Sequence, residues 1–535
     1  MSQETSRYRA QRPPAVAEGW RLERATPPSR MFGANGLRTG ADGRLYVAEL
    51  VGSRISAVDP DSGSVDVVCA MGGGIISPDD LAFDDQGNMY ITEFMDDRLT
   101  VRAANGQVRV MHGEVPGANG ITMHNGKLYI DECRLGGRLL EFDLAGGEPR
   151  VVLEDLPLPN ALAPGPDGKL YYPLIGPGEV WRVDPAGGQP ERVAGGFHHP
   201  SAVKFDADGN LVVTQAATGE IRRIDVRSGH EAVLATLGSA IDNLIFLDDR
   251  LFVSHMMDGR ISEVHADGTW RDVLPGGLHN PLDLAIGSDG LLYVADQVAL
   301  YVLLPGEGLK CLGRIYAEDY PGGVRGLAPA ADRSFYVATA NGRIAFYRPW
   351  QGEFDVLAEG FDQLYGIAIL PSGAIAAAEL GTGRIVTVEN NKVGVLASGL
   401  SDPIGIAIDA SGACYVSEPG TGRIVRIAGG QAETVLDGLG KPHGLLLHGD
   451  QLLVIDAGAQ ELIAYDLGRQ VRQTLAAHLP VGDPPGISRQ PLRGCPPFVG
   501  PLGPFAGIAR GPDGTIYIAA DAEGSILALA SQYPQ

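Results

Sequence analysis

The segments PDDLAFDDQGNMYITEF, residues 78–94, and PLDLAIGSDGLLYVADQ, residues 281–297, follow one pattern. In each, a short apolar run is followed by a glycine-containing turn and then by a second apolar run that contains tyrosine. Such a turn between two apolar runs predicts a β-hairpin, because its residues tolerate a positive φ. The pattern occurs twelve times, and the second residue of each copy falls at 35, 79, 119, 160, 201, 242, 282, 325, 365, 404, 443 and 506.

Each copy continues with a glycine-rich turn, a third strand such as GRISEV (residues 259–264) and a more variable fourth strand. Four strands in about 41 residues are typical of one blade of a β-propeller. Because propellers usually have four to eight blades, twelve copies predict two rings of six. No segment has a sustained period of 3.6 residues, so the predicted fold class is all-β, with two tandem six-bladed β-propellers.

The chain ends suggest how the rings close. The last copy runs out of chain after its third strand, and WRLERAT (residues 20–26) precedes the first copy without a hairpin of its own. We expect residues 20–26 to complete blade six and residues 269–274 to complete blade twelve. The predicted organisation is an N-terminal tail (1–19), a first propeller (20–268) and a second propeller (269–535) with a Pro/Gly-rich insertion at 478–503.

Composition excludes several classes of function. The formal net charge of −23 disfavours nucleic acid and anionic membrane surfaces as partners. The five cysteines are far apart and form no CxxC pair, and the N-terminus has no apolar stretch typical of a secretory signal. We therefore expect a cytoplasmic protein that acts on a small-molecule substrate.

The repeat resembles the six-bladed propellers of the SMP-30/gluconolactonase and NHL families. The resemblance rests on the motif x-(N/D)-G-(L/I) followed by DG-x-L-Y-(V/I)-(A/T)-(D/E), and it extends from about Trp20 to Ser531. In gluconolactonase-like propellers, a Glu, an Asn and an Asp on inner strands hold a metal ion. The resemblance therefore implies a metal-dependent hydrolase of the lactonase-like class.

The start of each inner strand is expected to face the central channel. In the first half this position is polar in all six copies: Asn35, Asp79, Asn119, Asn160, Ser201 and Asp242. Carboxylate and amide oxygens suit hard cations, so the cofactor expected is Ca²⁺ or Mg²⁺. Asn119 and Asn160 match the family's positions. Ser201 replaces its usual Asp and Asn35 its Glu, so we expect Asp79 and Asp242 to supply the charge.

The end of each second strand is expected at the same mouth. In the first half it holds Glu49, Glu93, Glu132, Leu174, Gln215 and His255. His255, Glu93 and Asp242 are the predicted catalytic residues, because a histidine or a carboxyl with a raised pKa can move protons near neutral pH. Asn35, Glu49 and Glu132 are the predicted substrate-binding residues. The alternative for each second-strand acid is that it only braces the next turn.

The second half offers a competing site. Its inner-strand position holds Leu282, Arg325, Tyr365, Ile404, His443 and Ala506, so half of the ring is apolar. Arg325 could hold a carboxylate, and Tyr365 and His443 could pass protons. The insertion 478–503 is expected either to cover this mouth or to pack as a structural loop.

Three functions stay open on the sequence alone. The leading hypothesis is the lactonase-like hydrolase with a divalent cation in the first propeller. The second is a lyase or isomerase on the same fold, and the third is a non-enzymatic NHL-type interaction scaffold. The polar ring of the first half favours an enzyme, because a scaffold has no use for a polar channel.

Overall fold

The computed structural model describes residues 6–8, 10–315, 317–484, 487, 492–494 and 500–532. These residues form twelve antiparallel sheets, eleven of four strands and one of five, together with one short 3₁₀ turn at Phe94–Asp96. No helix among them is long and apolar enough to span a bilayer. The chain has two compact units, residues 30–276 and residues 277–535 with the N-terminal segment up to Ser29. The fold is therefore all-β, with two six-bladed propellers in tandem, as the twelve copies predict.

The first propeller consists of blades 1 to 6, each built from four consecutive strands. From the inner to the outer strand they are Leu37–Thr39, Leu45–Glu49, Arg54–Val58 and Val65–Cys69 in blade 1; Pro78–Phe83, Met89–Glu93, Arg98–Arg102 and Val108–His112 in blade 2; Ala118–His124, Lys127–Glu132, Leu135–Phe142 and Arg150–Pro157 in blade 3; Ala163–Pro164, Leu170–Leu174, Glu179–Val183 and Glu191–Gly195 in blade 4; Pro200–Phe205, Leu211–Gln215, Glu220–Ile224 and Glu231–Thr236 in blade 5; and Ile241–Leu247, Arg250–His255, Ile261–Val264 and Trp270–Leu274 in blade 6.

The second propeller consists of blades 7 to 12. They are Pro281–Ile286, Leu292–Asp296, Ala299–Leu304 and Gly308–Arg314 in blade 7; Val324–Pro329, Phe335–Thr339, Arg343–Arg348 and Glu353–Glu359 in blade 8; Leu364–Ile369, Ile375–Glu379, Arg384–Glu389 and Lys392–Ser398 in blade 9; Ile406–Ile408, Cys414–Glu418, Arg423–Ala428 and Gln431–Leu436 in blade 10; Pro442–His448, Gln451–Asp456, Glu461–Asp466, Val471–Ala477 and the added edge strand Ala15–Val16 in blade 11; and Ile508–Arg510, Ile516–Ala520, Ser525–Ser531 and Trp20–Arg24 in blade 12.

The two rings close differently from the prediction. Residues 20–26 were expected in blade six, but Trp20–Arg24 pairs with Ser525–Ser531 and completes blade 12. Trp270–Leu274 pairs with Ile261–Val264, so it completes blade 6 and not blade twelve. The first propeller is therefore one continuous piece of chain, and only the second has a blade of mixed origin. The units divide after residues 29 and 276, whereas the sequence suggested a boundary at residue 268.

The hairpin between the first two strands of a blade is held by its own sequence motif. In the turn at Asp167-Gly168, Gly168 has a φ of 77°, and the Asp167 carboxylate accepts hydrogen bonds from the Lys169 N–H and the Tyr171 hydroxyl. Tyr293 donates in the same way to Asp289, at 3.0 Å. The tyrosine of the DG-x-L-Y motif thus ties the second strand to its turn, which explains why these residue types recur together.

Adjacent blades pack through buried aliphatic and aromatic side chains. One cluster joins blade 6 to blade 1 and contains Leu37, Val47, Phe252 and Ile261, and another joins blade 12 to blade 7. Near the axis, backbones replace side chains: the Gly366 N–H donates to the Ile404 carbonyl at 2.8 Å. A Cβ on Gly366 would lie 2.6 Å from that oxygen. The inner strands of blades 9 and 10 therefore approach one another too closely for a side chain at this level, so polar groups of these blades that could meet a ligand must lie at the mouth.

Candidate functional site

Blades 1, 2 and 6 bring three of the predicted polar residues together. The Asn35 amide donates a hydrogen bond to Asp79 Oδ1 at 3.3 Å. Asp79 is buried and interacts electrostatically with Asp242, which comes from the opposite neighbour of blade 1. Asn35, Asp79 and Asp242 thus form one cluster, which we call the acidic mouth.

Both carboxyl groups of the acidic mouth resist ionisation. Burial and the nearby charges of Asp242, Asp80 and Asp131 raise the pKa of Asp79 well above its usual range. Burial and the charge of Asp80 raise the pKa of Asp242 to about 7. Asp242 remains partly accessible, whereas Asp79 is 6% exposed. A carboxyl that titrates near neutral pH and is open to the channel can act as a general acid or base.

The two predicted amide ligands have different surroundings. Asn160 Oδ1 accepts a hydrogen bond from the N–H of Ala161 at 2.7 Å, while Asn119 is buried and makes no side-chain hydrogen bond within the described part of the chain. The described residues contain no group of three His, Cys, Asp or Glu side chains suited to a metal ion. A cation at the acidic mouth would therefore need amide oxygens in addition to Asp79 and Asp242. This all-oxygen set fits Ca²⁺ or Mg²⁺, whose charge would relieve the repulsion between the two carboxylates.

The glutamates at the second-strand ends have a different role from the one predicted. Glu49, Glu93 and Glu132 are fully buried within their blades. Glu49 accepts the Phe32 N–H and pairs with Arg54 at 2.7 Å. Glu93 likewise accepts the Ile76 N–H and pairs with Arg98, and Glu132 pairs with Arg134 and Arg138.

Blades 9 and 10 repeat this arrangement. Glu379 accepts the Asp362 N–H and pairs with Arg384, and Glu418 accepts the Ser401 N–H and pairs with Arg423. A contact that recurs in both propellers is part of the structure of the blade and does not indicate a functional site in one of them. The geometry therefore supports the bracing alternative for Glu49, Glu93 and Glu132, and it does not support catalysis by Glu93 or substrate binding by Glu49 and Glu132.

His255 is placed in the same way. The Nδ1 atom lies 3.0 Å from Arg260 Nη2, and Nε2 lies 3.2 Å from Ser262 Oγ. The ring is 1% exposed, and burial together with the Arg260 charge lowers the pKa of His255 well below its usual range. An imidazole with this pKa is a weak base at neutral pH, and its contacts lie inside blade 6. The structure therefore gives no support to His255 as the general base.

Sequence reasoning missed a buried charge cluster beside the acidic mouth. Arg38 Nη2 donates to Asp80 Oδ2 at 2.9 Å. Asp131 and Lys204 are buried too, and among the described residues neither Asp131 Oδ2 nor Lys204 Nζ has a hydrogen-bond partner. Burial and the Arg38 charge lower the pKa of Lys204 well below its usual range. For Arg38, Asp80 and Lys204 the signal was a charged residue at an inner-strand position where most other copies have Gly or Ala.

The inner-strand residues of the second propeller form a largely apolar mouth. Leu282, Tyr365, Ile404 and Phe505 pack in one buried cluster. The Arg325 guanidinium lies 4.5 Å from the centre of the Tyr365 ring. His443 stacks on Phe505 with centroids 6.2 Å apart. The structure thus brings Arg325, Tyr365 and His443 to one place, as the alternative hypothesis requires.

Part of the insertion 478–503 also reaches this mouth. A Cβ added to Gly503 would lie 2.3 Å from Tyr365 Oη, so the chain before Phe505 passes directly over the tyrosine. Residues 485–486, 488–491 and 495–499 of the insertion lie outside the described residues.

Parts of the chain are similar to known proteins. The family model described as the SMP-30/Gluconolactonase/LRE-like region matches residues 10–256. Similar solved structures include a streptogramin B lyase, at 16% identity over 52% of this chain and 96% of that chain with a TM-score of 0.39. A gluconolactonase from Xanthomonas campestris is 18% identical over 50% of this chain and 99% of that chain, with a TM-score of 0.38. No curated protein matches the sequence. The match to this family model thus lies largely in the first propeller.

Proposed function

We propose that the first propeller is a lactonase-like hydrolase of a small molecule, with the acidic mouth as its active centre. The observation that carries the proposal is the pair of carboxyl groups, Asp79 and Asp242, that neighbour each other without a cation among the described residues. A buried pair of like charges costs free energy, and such arrangements are concentrated at functional sites. In contrast, the deeper Asp80 is neutralised by Arg38.

Asp242 has the properties that ester hydrolysis requires. With a pKa of about 7, a substantial fraction of Asp242 is ionised at neutral pH and can accept a proton from an attacking water. The water oxygen bonds to the lactone carbonyl carbon, the ring C–O bond breaks, and the proton held by Asp242 passes to the departing alkoxide. Asn35 fixes Asp79 through its hydrogen bond, so that this second carboxyl group keeps its place in the acidic mouth.

A divalent cation is part of the proposal. Asp79, Asp242, Asn119 and Asn160 would hold it, and when bound it would polarise the carbonyl or acidify the water. Asn119 is the amide that is available for this purpose, since the described residues leave its side chain without a hydrogen bond.

The test is hydrolysis of a panel of sugar and aliphatic lactones by the full chain. The acid that hydrolysis releases is monitored through the absorbance of a pH indicator. We expect Asp242→Asn to lower kcat by about a hundredfold or more, since it removes the base and keeps the shape. Asp208→Asn is the matched control, because Asp208 is an exposed turn residue of blade 5. Elemental analysis should find Ca²⁺ or Mg²⁺, and dialysis against EDTA should remove both metal and activity. Full activity in Asp242→Asn would exclude this active centre.

A further inference from the structure

A second feature, in the other propeller, is independent of the lactonase proposal. Arg325 stands at the inner-strand position of blade 8, and only 1% of its surface is exposed. Its Nη1 donates one long hydrogen bond, 3.4 Å, to the Leu364 carbonyl. Its Nη2 is buried and has no hydrogen-bond partner in the part of the chain that the structure describes. A guanidinium has five N–H donors, so nearly all of this group's capacity to hydrogen-bond is unused.

Arg325 also has no counter-charge within the described residues. No described carboxylate lies within 4.0 Å of it. The half-buried carboxylate of the neighbouring blade, Asp283, accepts the N–H groups of Leu284 and Leu327, each at 2.9 Å, and is not paired with the guanidinium. An arginine stays protonated when it is buried, so an unpaired one is costly. The ring face of Tyr365, 4.5 Å away, compensates part of that cost and leaves the edge of the guanidinium unused.

The surroundings of Arg325 combine apolar walls with a few polar groups. Leu282, Ile404 and Phe505 supply the apolar surface next to Tyr365. His443 Nδ1 accepts the Ala506 N–H at 3.1 Å, so the neutral imidazole carries its proton on Nε2. Burial of every one of these side chains restricts any occupant to a few non-hydrogen atoms.

We propose that the mouth of the second propeller binds a small organic monocarboxylate. The planar carboxylate matches the planar edge of the Arg325 guanidinium, and two parallel N–H···O bonds can form. The single positive charge matches a single negative charge, whereas a phosphate dianion would remain half uncompensated. The apolar walls accept a short hydrocarbon body and disfavour a fully hydrated inorganic ion.

Calorimetric titration of the full chain tests the proposal, with sodium propionate as the probe. Sodium phosphate and sodium chloride at equal ionic strength distinguish an organic carboxylate from inorganic anions. We expect saturable binding of propionate only. Arg325→Met should weaken propionate binding by about tenfold or more, because methionine is similar in length to arginine but has neither the charge nor the hydrogen-bond donors. Arg343→Met is the matched control, since Arg343 in the same blade is 41% exposed and pairs with Glu359.

A second measurement does not depend on the variant folding. Hydrogen exchange of the wild-type chain should slow on addition of propionate in peptides that contain Val324–Pro329 and Phe505, and stay unchanged in peptides from residues 30–276. The proposal is overturned by absence of saturable propionate binding up to about 10 mM, by equal or tighter binding of phosphate, by unchanged affinity in Arg325→Met, or by unchanged exchange around Phe505.

Discussion

Replacing Asp242 with asparagine is expected to make the first propeller more stable in alkaline solution while it removes activity. The pKa of this carboxyl rises from 3.8 to about 7 on folding. The folded state therefore keeps a proton that the unfolded chain releases, and stability falls as the pH rises from about 4 to about 7. The difference of about 3 pKa units corresponds to up to about 4 kcal/mol. Asparagine never ionises, so the variant does not lose this free energy.

The assay is urea-dependent hydrogen exchange of peptides from residues 30–276, in EDTA, at about pH 4.5 and about pH 8.5. The variant should exceed the wild type by about 1 kcal/mol at the lower pH, where the unfolded carboxyl is already largely ionised, and by up to about 4 kcal/mol at the higher one. Asp206→Asn is the control with the opposite sign. Although burial opposes it, hydrogen bonds from Asn210 and Arg223 hold the pKa of Asp206 below its usual range, so that variant should be less stable at neutral pH.

Calcium separates the electrostatic effect from the binding effect. If the wild type binds the cation, adding it at 100 times the Kd should stabilise the wild type by about 2.7 kcal/mol and the variant by much less. Equal stability of wild type and Asp242→Asn in EDTA at both pH values would refute the reasoning, since it would mean that burial and the Asp80 charge do not raise the pKa of Asp242.

Three further predictions concern the scaffold. Deleting residues 1–25 should speed hydrogen exchange in Ser525–Ser531, because it removes the paired strand Trp20–Arg24 and the Arg24–Glu523 ion pair. Peptides from residues 30–276 should keep their exchange rates. Unchanged protection in residues 525–531 would contradict the closure of blade 12 by the N-terminal strand. Glu418→Gln should cost the second propeller about 3 kcal/mol in urea denaturation, since Arg423 loses its partner, whereas the exposed Glu433→Gln should cost less than about 0.5 kcal/mol. Gly405→Ala should cost about 3 kcal/mol, because its Cβ would lie 2.1 Å from the His443 carbonyl oxygen, while Gly113→Ala, in open space, should change little.

The architecture could be predicted because the pattern that encodes it is local. The hairpin turn, the tyrosine that bonds to it and the alternation along each strand all lie within one copy, and they recur at a fixed period. Ring closure depends instead on which distant strand completes a sheet. Residues 20–26 (WRLERAT) and residues 269–274 (TWRDVL) have similar outer-strand sequences, so the sequence left open which blade each one completes. The predicted assignment of these two strands was wrong, because the pattern of residues within a strand does not indicate which neighbouring strand it pairs with.

The candidate site could be predicted only in part, for a related reason. A strand position indicates on which face of the sheet a side chain lies, and the inner-strand positions indeed brought Asn35, Asp79 and Asp242 together. It does not indicate what the side chain meets there. An arginine follows both Glu49 and Glu93 by five residues, and this spacing indicated that the two acids are paired within their blades. The prediction of a site at the mouth did not use this spacing.

The two propellers are built on the same repeat, so each serves as a control for the other. Asp80 in blade 2 and Asp283 in blade 7 occupy equivalent inner-strand positions, and each accepts its own following N–H and an N–H of the next blade. That contact is part of the fold, because it is the same in both rings. What differs between the rings is the residue before it: Asp79 in the first, within an acidic mouth, and Leu282 in the second, within an apolar mouth that encloses Arg325. Packing does not require opposite chemistry at equivalent positions, and this difference is the reason why we propose a cation for the first mouth and a carboxylate for the second.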